Sequence, residues 1–128
     1  MSETPVKYEN VSLAGAQFSD VSLASACFNN VNLGNAAFFD VALNGASFND
    51  INLRDAVFIN VVLSGASFND VNLREARFVD VALNGASFDD VNLSDVTIER
   101  ANLQGMKING ILVSELLLAY QQRNETGR

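Results

Sequence analysis

The sequence lacks the residues that most enzymes rely on. It has no histidine and no tryptophan, and it has one cysteine, Cys27, among 128 residues. Without histidine there is no usual general base, no Ser-His pair and no imidazole ligand for a metal. A single cysteine cannot form an internal disulfide. We find no phosphate-binding glycine loop and no zinc or calcium spacing. We therefore expect a protein that is not an enzyme and that holds no cofactor and no metal.

Positive charge is also scarce. The chain has 8 Lys and Arg against 15 Asp and Glu, and its net charge is −7 at pH 7. Proteins that bind a phosphate backbone need clustered basic residues, so direct nucleic-acid binding is not expected. No apolar run reaches the length of a membrane span, and the N-terminus MSETPVKYEN lacks the apolar stretch of a secretory signal. These features predict a soluble, cytoplasmic protein without a membrane partner.

What the sequence does contain is a repeat of five residues. Large apolar residues, mostly Leu and Phe, recur at every fifth position from Tyr8 to Val113, which gives twenty-two units over residues 6–113. On an α-helix this spacing would spread the apolar residues around the whole circumference. On a flat strand it would turn the apolar residue to the opposite face at each unit. The chain must therefore bend after every unit, and a coil results.

A longer period fixes the number of sides in this coil. Asn-Leu recurs at 32–33, 52–53, 72–73 and 92–93, and glycine recurs at 45, 65, 85 and 105. Glycine takes positive φ in turns at little cost. A twenty-residue period made of five-residue sides predicts a square coil whose interior is filled and holds no ligand cavity. The expected columns are Leu13, Leu33, Leu53, Leu73 and Leu93 on side one; Phe18, Phe38, Phe58, Phe78 and Ile98 on side two; Leu23, Leu43, Leu63, Leu83 and Leu103 on side three; and Phe28, Phe48, Phe68, Phe88 and Ile108 on side four.

These units resemble the repeats of a known family. Val31-Asn32-Leu33-Gly34-Asn35 and Val71-Asn72-Leu73-Arg74-Glu75 are similar to the repeats of pentapeptide-repeat proteins. The resemblance covers most of the chain. It implies a right-handed quadrilateral β-helix. Together with the spacing and the C-terminal residues, the expected fold is an all-β solenoid of about five 20-residue coils with a C-terminal capping α-helix. The expected organisation is an N-terminal tail (1–5), the β-helix (6–113), the capping helix (114–123) and a flexible tail (124–128).

The capping helix is expected from residues near the C-terminus. Ser114 is a suitable N-cap, and Leu116, Leu117 and Tyr120 share one face at helical spacing. That face is expected to cover the last coil, because a solenoid exposes apolar surface at its ends. Leu118 is expected to face away from the coil and to offer a contact for a dimer.

Carboxylates form rows when the coils are stacked. One row is Asp50, Asp70 and Asp90, with Asp89 beside it, and another is Asp55, Glu75 and Asp95. Arg54 and Arg74 are expected to neutralise part of the second row. Such rows can hold cations, but solvated corners that keep the rod soluble are the simpler interpretation.

One outer wall has an unusual composition. On side two the outward positions flank the Phe column, and they are mainly apolar, whereas the equivalent positions on side four are Ser and Asn. An apolar patch with a polar rim is typical of a protein contact, although β-branched residues also suit extended chains generally. We call this surface the side-two wall; it consists of Ala37, Phe39, Val57, Ile59, Arg77 and Val79.

Two functions follow as hypotheses. The first is a non-enzymatic protein-binding or scaffold module that uses the side-two wall, with an antagonist or immunity-type role as one form of it. The second comes from the resemblance, since some pentapeptide-repeat proteins are acidic, DNA-mimicking rods that bind DNA gyrase or a related topoisomerase and protect it. The partner in the first hypothesis is a protein of unknown identity. The chain itself is either a monomer or a homodimer that forms through the side-two wall or the C-terminal helix.

Overall fold

The computed structural model describes residues 6–125. The tail predicted at residues 1–5 and the last three residues, 126–128, lie outside the described part. The elements are β1 (Lys7–Ser12), β2 (Gln17–Ser22), β3 (Cys27–Asn32), β4 (Ala37–Ala42), β5 (Ser47–Asn52), β6 (Val57–Val62), β7 (Ser67–Asn72), β8 (Arg77–Ala82), β9 (Ser87–Asn92), β10 (Thr97–Glu99), β11 (Lys107–Ile108), β12 (Ile111–Leu112) and α1 (Val113–Glu125).

The strands form two sheets that wrap around one axis. Odd-numbered strands, joined at the end by β12, build the first sheet in the order β1-β3-β5-β7-β9-β11-β12, and the remaining even-numbered strands build the second in the order β10-β8-β6-β4-β2. From β1 to β11 and from β2 to β10, neighbouring strands are parallel and paired residues are twenty positions apart, as Phe28 is from Phe48 and Phe38 from Phe58. This twenty-residue register confirms the predicted solenoid of about five coils.

The square cross-section has two kinds of corner. Each full-length strand continues through a corner at a residue with positive φ, such as Asp50 (φ 60°). The other corners are hydrogen-bonded turns, in which the N–H of Ala36 donates to the carbonyl of Leu33 at 3.1 Å. Positive φ at the third residue of these turns, such as Asn35 (φ 60°), is the mark of a type II turn. Every fifth residue from Asn10 to Gly105 has positive φ, so the conformation extends well beyond the predicted glycine row.

The interior is filled by the predicted Leu and Phe columns. Leu53, Phe58 and Leu63 are completely buried, and small residues such as Ala56 fill the positions between columns. Successive aromatic rings stack, with centroids from 4.4 Å apart for Phe68 and Phe88 to 5.2 Å apart for Tyr8 and Phe28. These distances follow from the strand spacing of about 4.8 Å.

The last predicted unit of the repeat does not form another side of the square. Asn109 and Gly110 both have positive φ, 50° and 79°, and they join β11 to β12 as an antiparallel hairpin. Positive φ at both central residues defines a type I′ turn, which Asn-Gly favours strongly. The coil therefore ends at Ile108, and the prediction that the repeat runs to Val113 is wrong in its final unit.

The helix α1 exists, but it does not cover the last coil as predicted. Leu116, Leu117 and Tyr120 are 44%, 51% and 66% exposed, and Leu118 is 52% exposed. The hairpin returns the chain to the edge of the first sheet, and α1 follows directly from β12 there. Val113 is the residue of α1 that joins the core.

The bounds of α1 also differ from the predicted ones. It begins at Val113, which places the predicted cap Ser114 inside the helix, and it continues to Glu125, through the start of the predicted tail. No proline or glycine interrupts this segment. Within the described residues no helix is both long and apolar enough to span a membrane.

Candidate functional site

The side-two wall lies on the outer face of the second sheet. Phe39 on β4 pairs with Ile59 on β6, and Ile59 pairs with Val79 on β8. Because side chains alternate along a strand, the residues on either side of each buried Phe point outward. The parallel register then stacks them into two outward columns. One contains Ala37, Val57 and Arg77, and the other contains Phe39, Ile59 and Val79.

The residues of this wall are exposed to different degrees. Phe39 is 38% exposed, Arg77 is exposed, and Ala37, Val57 and Ile59 are half-buried. Val79, however, is only 7% exposed. Its strand is paired on both sides, so that Ile59 and Glu99 flank it in the column. Val79 therefore lies on the outer face but is covered, and it offers little contact surface, in contrast to the sequence prediction.

One exposed apolar residue next to the wall was not identified from the sequence. Val62 is 40% exposed and lies just past the corner at Asn60, on the same strand as Ile59. The apolar surface thus continues around this corner onto side three. The sequence did contain a signal for this apolar residue. The outward position just before the inward Leu is Val62 on side three, whereas it is Asn52 on side one.

Acidic corner residues border the wall on one edge. Asp80 accepts a hydrogen bond from Arg100, with 2.8 Å between Arg100 Nε and Asp80 Oδ1. This hydrogen bond and the charge of Asp80 raise the pKa of Arg100 further above its ordinary value, so the guanidinium stays charged. Asp40 accepts a hydrogen bond from the amide of Asn60, which carries no charge. The negative charge of this edge is therefore concentrated near Phe39.

The opposite edge of the wall carries the row of Asp55, Glu75 and Asp95. Arg54 Nε lies 3.6 Å from Asp55 Oδ2, and Arg54 Nη2 lies 3.7 Å from Glu75 Oε1. Arg74 Nε lies 3.8 Å from the same Glu75 oxygen. All of these side chains are about half exposed, so the pairs contribute little to stability. They do reduce the charge of Asp55 and Glu75, and Asp95 has no ion pair among the described residues.

The other acidic row lies at the corner between sides four and one. Asp50, Asp70 and Asp90 are exposed and have positive φ, and Asp89 is exposed beside Asp90. An open groove of about 440 Å³ runs between this corner and the neighbouring Asn column, which consists of Asn32, Asn52, Asn72 and Asn92. Among residues 6–125 no three carboxylate or thiol groups come close enough to hold a metal ion.

The side chains of the Asn column form hydrogen bonds to the backbone of the corner turns. The amide oxygen of Asn32 accepts the backbone N–H of Gly34, and Asn72 accepts that of Arg74, each at 3.0 Å. The amide of Asn52 also donates to Asn32 at 3.1 Å. These are Asx turns, in which the side chain holds the backbone two residues on. The column stabilises the corner of each coil, and its amide oxygens are occupied by backbone N–H groups there.

Known proteins similar to this chain share its repeat. The family described as pentapeptide repeat region matches residues 31–108, and the family described as pentapeptide repeats (8 copies) matches residues 9–38. The pentapeptide repeat protein Rfr23 from the cyanobacterium Cyanothece 51142 is 19% identical, with a TM-score of 0.63, over 82% of this chain and 90% of Rfr23. No curated protein matches the sequence significantly.

Two other solved structures share the repeat with weaker superposition. The fluoroquinolone resistance protein QnrB1 is 14% identical, with a TM-score of 0.38, over 82% of this chain and 71% of QnrB1. HetL from Nostoc sp. strain PCC 7120 is 14% identical, with a TM-score of 0.26, over 82% of this chain and 88% of HetL.

Proposed function

Because the chain belongs to the pentapeptide-repeat family, we propose that it is a non-enzymatic binding module that holds a partner protein against the side-two wall. The observation that carries this proposal is the exposure of Phe39 beside Ile59 on a paired strand. A large aromatic side chain at the surface, surrounded by smaller apolar groups and a polar rim, is typical of the centre of a protein interface.

The composition of the other walls supports the choice of this one. At the positions equivalent to Phe39 and Ile59, side four carries Asn49 and Asn69, which are exposed. Side one carries the Asn column that holds the turns. Side three carries small or amide side chains apart from Val62. Among the four walls, the side-two wall, extended by Val62, is therefore the one from which contact would remove the most apolar area from water, and this favours association.

The rigidity of the wall also supports a binding role. Both outward columns lie on strands that are paired on two sides, from β4 to β8. The side chains below them are completely buried Phe rings. Little ordering is then required of the wall when a partner binds, and a preorganised surface loses less entropy on association.

The proposal is tested by placing charge on the wall. The double variant Phe39→Asp, Ile59→Asp should retain the circular dichroism of the folded coil and should lose partner binding or self-association. The matched control is Asn49→Asp, Asn69→Asp, which adds the same charge at the equivalent positions of side four. Light scattering gives the oligomeric mass, and pull-down from lysate gives partner capture. If mass and capture are the same for the wall variant and the wild type, the proposal is refuted.

A second candidate function is imitation of DNA toward a gyrase or another topoisomerase. It is favoured by Asp50, Asp70 and Asp90, which are exposed along one corner and have no ion pairs among the described residues. The partial neutralisation of the other row by Arg54 and Arg74 weighs against it. A supercoiling assay with the purified protein separates the two candidates, because the wall proposal expects no effect on a topoisomerase.

A further inference from the structure

The side-two wall has the width of one α-helix. It is bounded by two corner rows that are five residues apart along the chain, for example Asp55 and Asn60. At about 3.3 Å per extended residue, the strip between these rows is at most roughly 16 Å wide. An α-helix with its side chains is about 10–12 Å across. One helix therefore fits along the strip between the two corner rows, and two do not.

The spacing of the apolar residues suits a helix that lies along the rod. Phe39 and Ile59 occupy successive coils, so they are separated by about 4.8 Å along the axis. One turn of an α-helix rises about 5.4 Å. A stripe of apolar side chains at every third and fourth position of a helix thus meets successive coils over the short length of the wall.

An extended segment is less well suited to this wall. Peptides that bind as an added strand need a free sheet edge, because their affinity comes from backbone hydrogen bonds. The edges of the second sheet are β2 and β10, which lie at the two ends of the rod. Along the wall itself the backbone groups are already paired between neighbouring strands. Contact there must be made by side chains, which a helix presents without leaving its own backbone unpaired.

The charges around the wall favour a basic partner. Asp20, Asp40 and Asp95 border it without an ion pair among the described residues, and the whole chain carries a net charge of −7. On the wall itself the exposed cation is Arg77, which likewise has no ion pair there. A second copy of the chain would bring acidic edges together, which opposes association.

We infer that the occupant of the side-two wall is a cationic amphipathic α-helix of a partner protein. Its apolar stripe lies over Phe39, Ile59 and Val57. Lysine or arginine side chains on both flanks of the helix face the acidic edges, and one acidic side chain faces Arg77. This inference rests on the proposed binding function, since it names the chemistry of the partner for the same wall.

The test is a titration of the ¹⁵N-labelled chain with synthetic helical peptides, followed by NMR. The first peptide has about fifteen residues, with a leucine stripe, lysines on both flanks and one glutamate. A second peptide has serine in place of leucine, and a third has glutamate in place of lysine. We expect chemical shift changes from the first peptide at 37–40, 57–60 and 62. We expect binding at least about tenfold weaker for the other two peptides, which is roughly 1.4 kcal/mol.

Protein variants complete the design. Phe39→Asp, Ile59→Asp should weaken binding of the first peptide at least about tenfold, and Asn49→Asp, Asn69→Asp should not weaken it. The inference is overturned if the shifts centre on Asp50, Asp70 and Asp90, or if the serine peptide binds equally well, since either result means attraction by charge alone. It is also overturned if the first peptide does not bind. In that case, capture of a protein by the wild type that is lost in the wall variant leaves the proposed function standing, whereas unchanged capture removes both.

Discussion

At the scale of single residues, the corners explain why acidic and amide side chains are so regular in this sequence. Asn30, Asp50 and Asp70 occupy left-handed conformations, which Asn and Asp tolerate better than most residues other than glycine. Rows of carboxylates thus arise in part because each coil repeats the same backbone turn. Charge alone is then weak evidence for function in such a rod, and the exposed Phe39, which no backbone requirement explains, is stronger evidence.

The left-handed corners lead to a prediction for Gly65. Its φ is +69°, and a Cβ added there would meet no atom within 4 Å, so substitution changes only the backbone preference. Gly65→Ala should lower the free energy of unfolding by about 1 kcal/mol, whereas Gly65→Asn should lower it much less. Urea unfolding followed by circular dichroism measures both values. Equal stabilities for the alanine and asparagine variants would contradict the conformational explanation.

At the scale of elements, the β11–β12 hairpin shows what the repeat pattern concealed. Ile108-Asn109-Gly110-Ile111 is a strong hairpin signal, yet it also fits the five-residue pattern, and Asn-Gly at 84–85 forms an ordinary corner in which Gly85 alone has positive φ. The two outcomes differ because a following coil is present for Gly85 and absent for Gly110. The sequence could not distinguish them from the local residues, since the difference depends on what is stacked above.

The hairpin turn should be sensitive to the residue at position 110. Gly110→Val forces a β-branched side chain into a left-handed conformation and should open the β11–β12 pair, while Gly110→Asn should preserve it. The N–H of Val113, which donates to the carbonyl of Met106 at 2.9 Å, reports on this pair. Hydrogen exchange at Val113 should become faster in the valine variant alone. Unchanged protection in that variant would mean that the turn does not hold the end of the coil.

The helix α1 and the side-two wall show the limit of sequence prediction for sites. The apolar spacing of Leu116, Leu117 and Tyr120 predicted a cap, but their exposure depends on where the hairpin directs the chain. In the same way, the sequence placed Phe39 and Val79 at equivalent positions, and the structure exposes one and buries the other. The alternation of inward and outward residues was predictable from the repeat, whereas the exposed fraction depends on neighbours from other coils.

At the scale of the whole molecule, the rod is a stack in which each coil contacts its two neighbours, so position along the axis determines how much a residue contributes. Phe58 is completely buried between Phe38 and Phe78. Phe18 has the same place in its coil, but it lies in the first coil and is only partly buried. The columns themselves were predictable from the sequence because every member repeats at the same interval.

This difference gives a prediction for the core. Phe58→Ala should lower the free energy of unfolding by about 3–5 kcal/mol, and Phe18→Ala should lower it by roughly half as much or less. The reason is that Phe58→Ala leaves a cavity enclosed on both sides, while the site of Phe18 remains open to solvent. Denaturant unfolding of the two variants under the same conditions provides the comparison. A cost for Phe18→Ala as large as that for Phe58→Ala would show that the first coil is covered in solution.

The twenty-residue register has a consequence for how this chain can change in length. An insertion or deletion of five residues would rotate everything beyond it by a quarter turn, and Phe39 and Ile59 would then face different directions if it fell between them. Only gains or losses of a complete lap keep every outer face continuous along the rod. The chain can thus grow or shrink by whole laps without loss of alignment, because within the coil the residue that stacks on each position lies twenty places away.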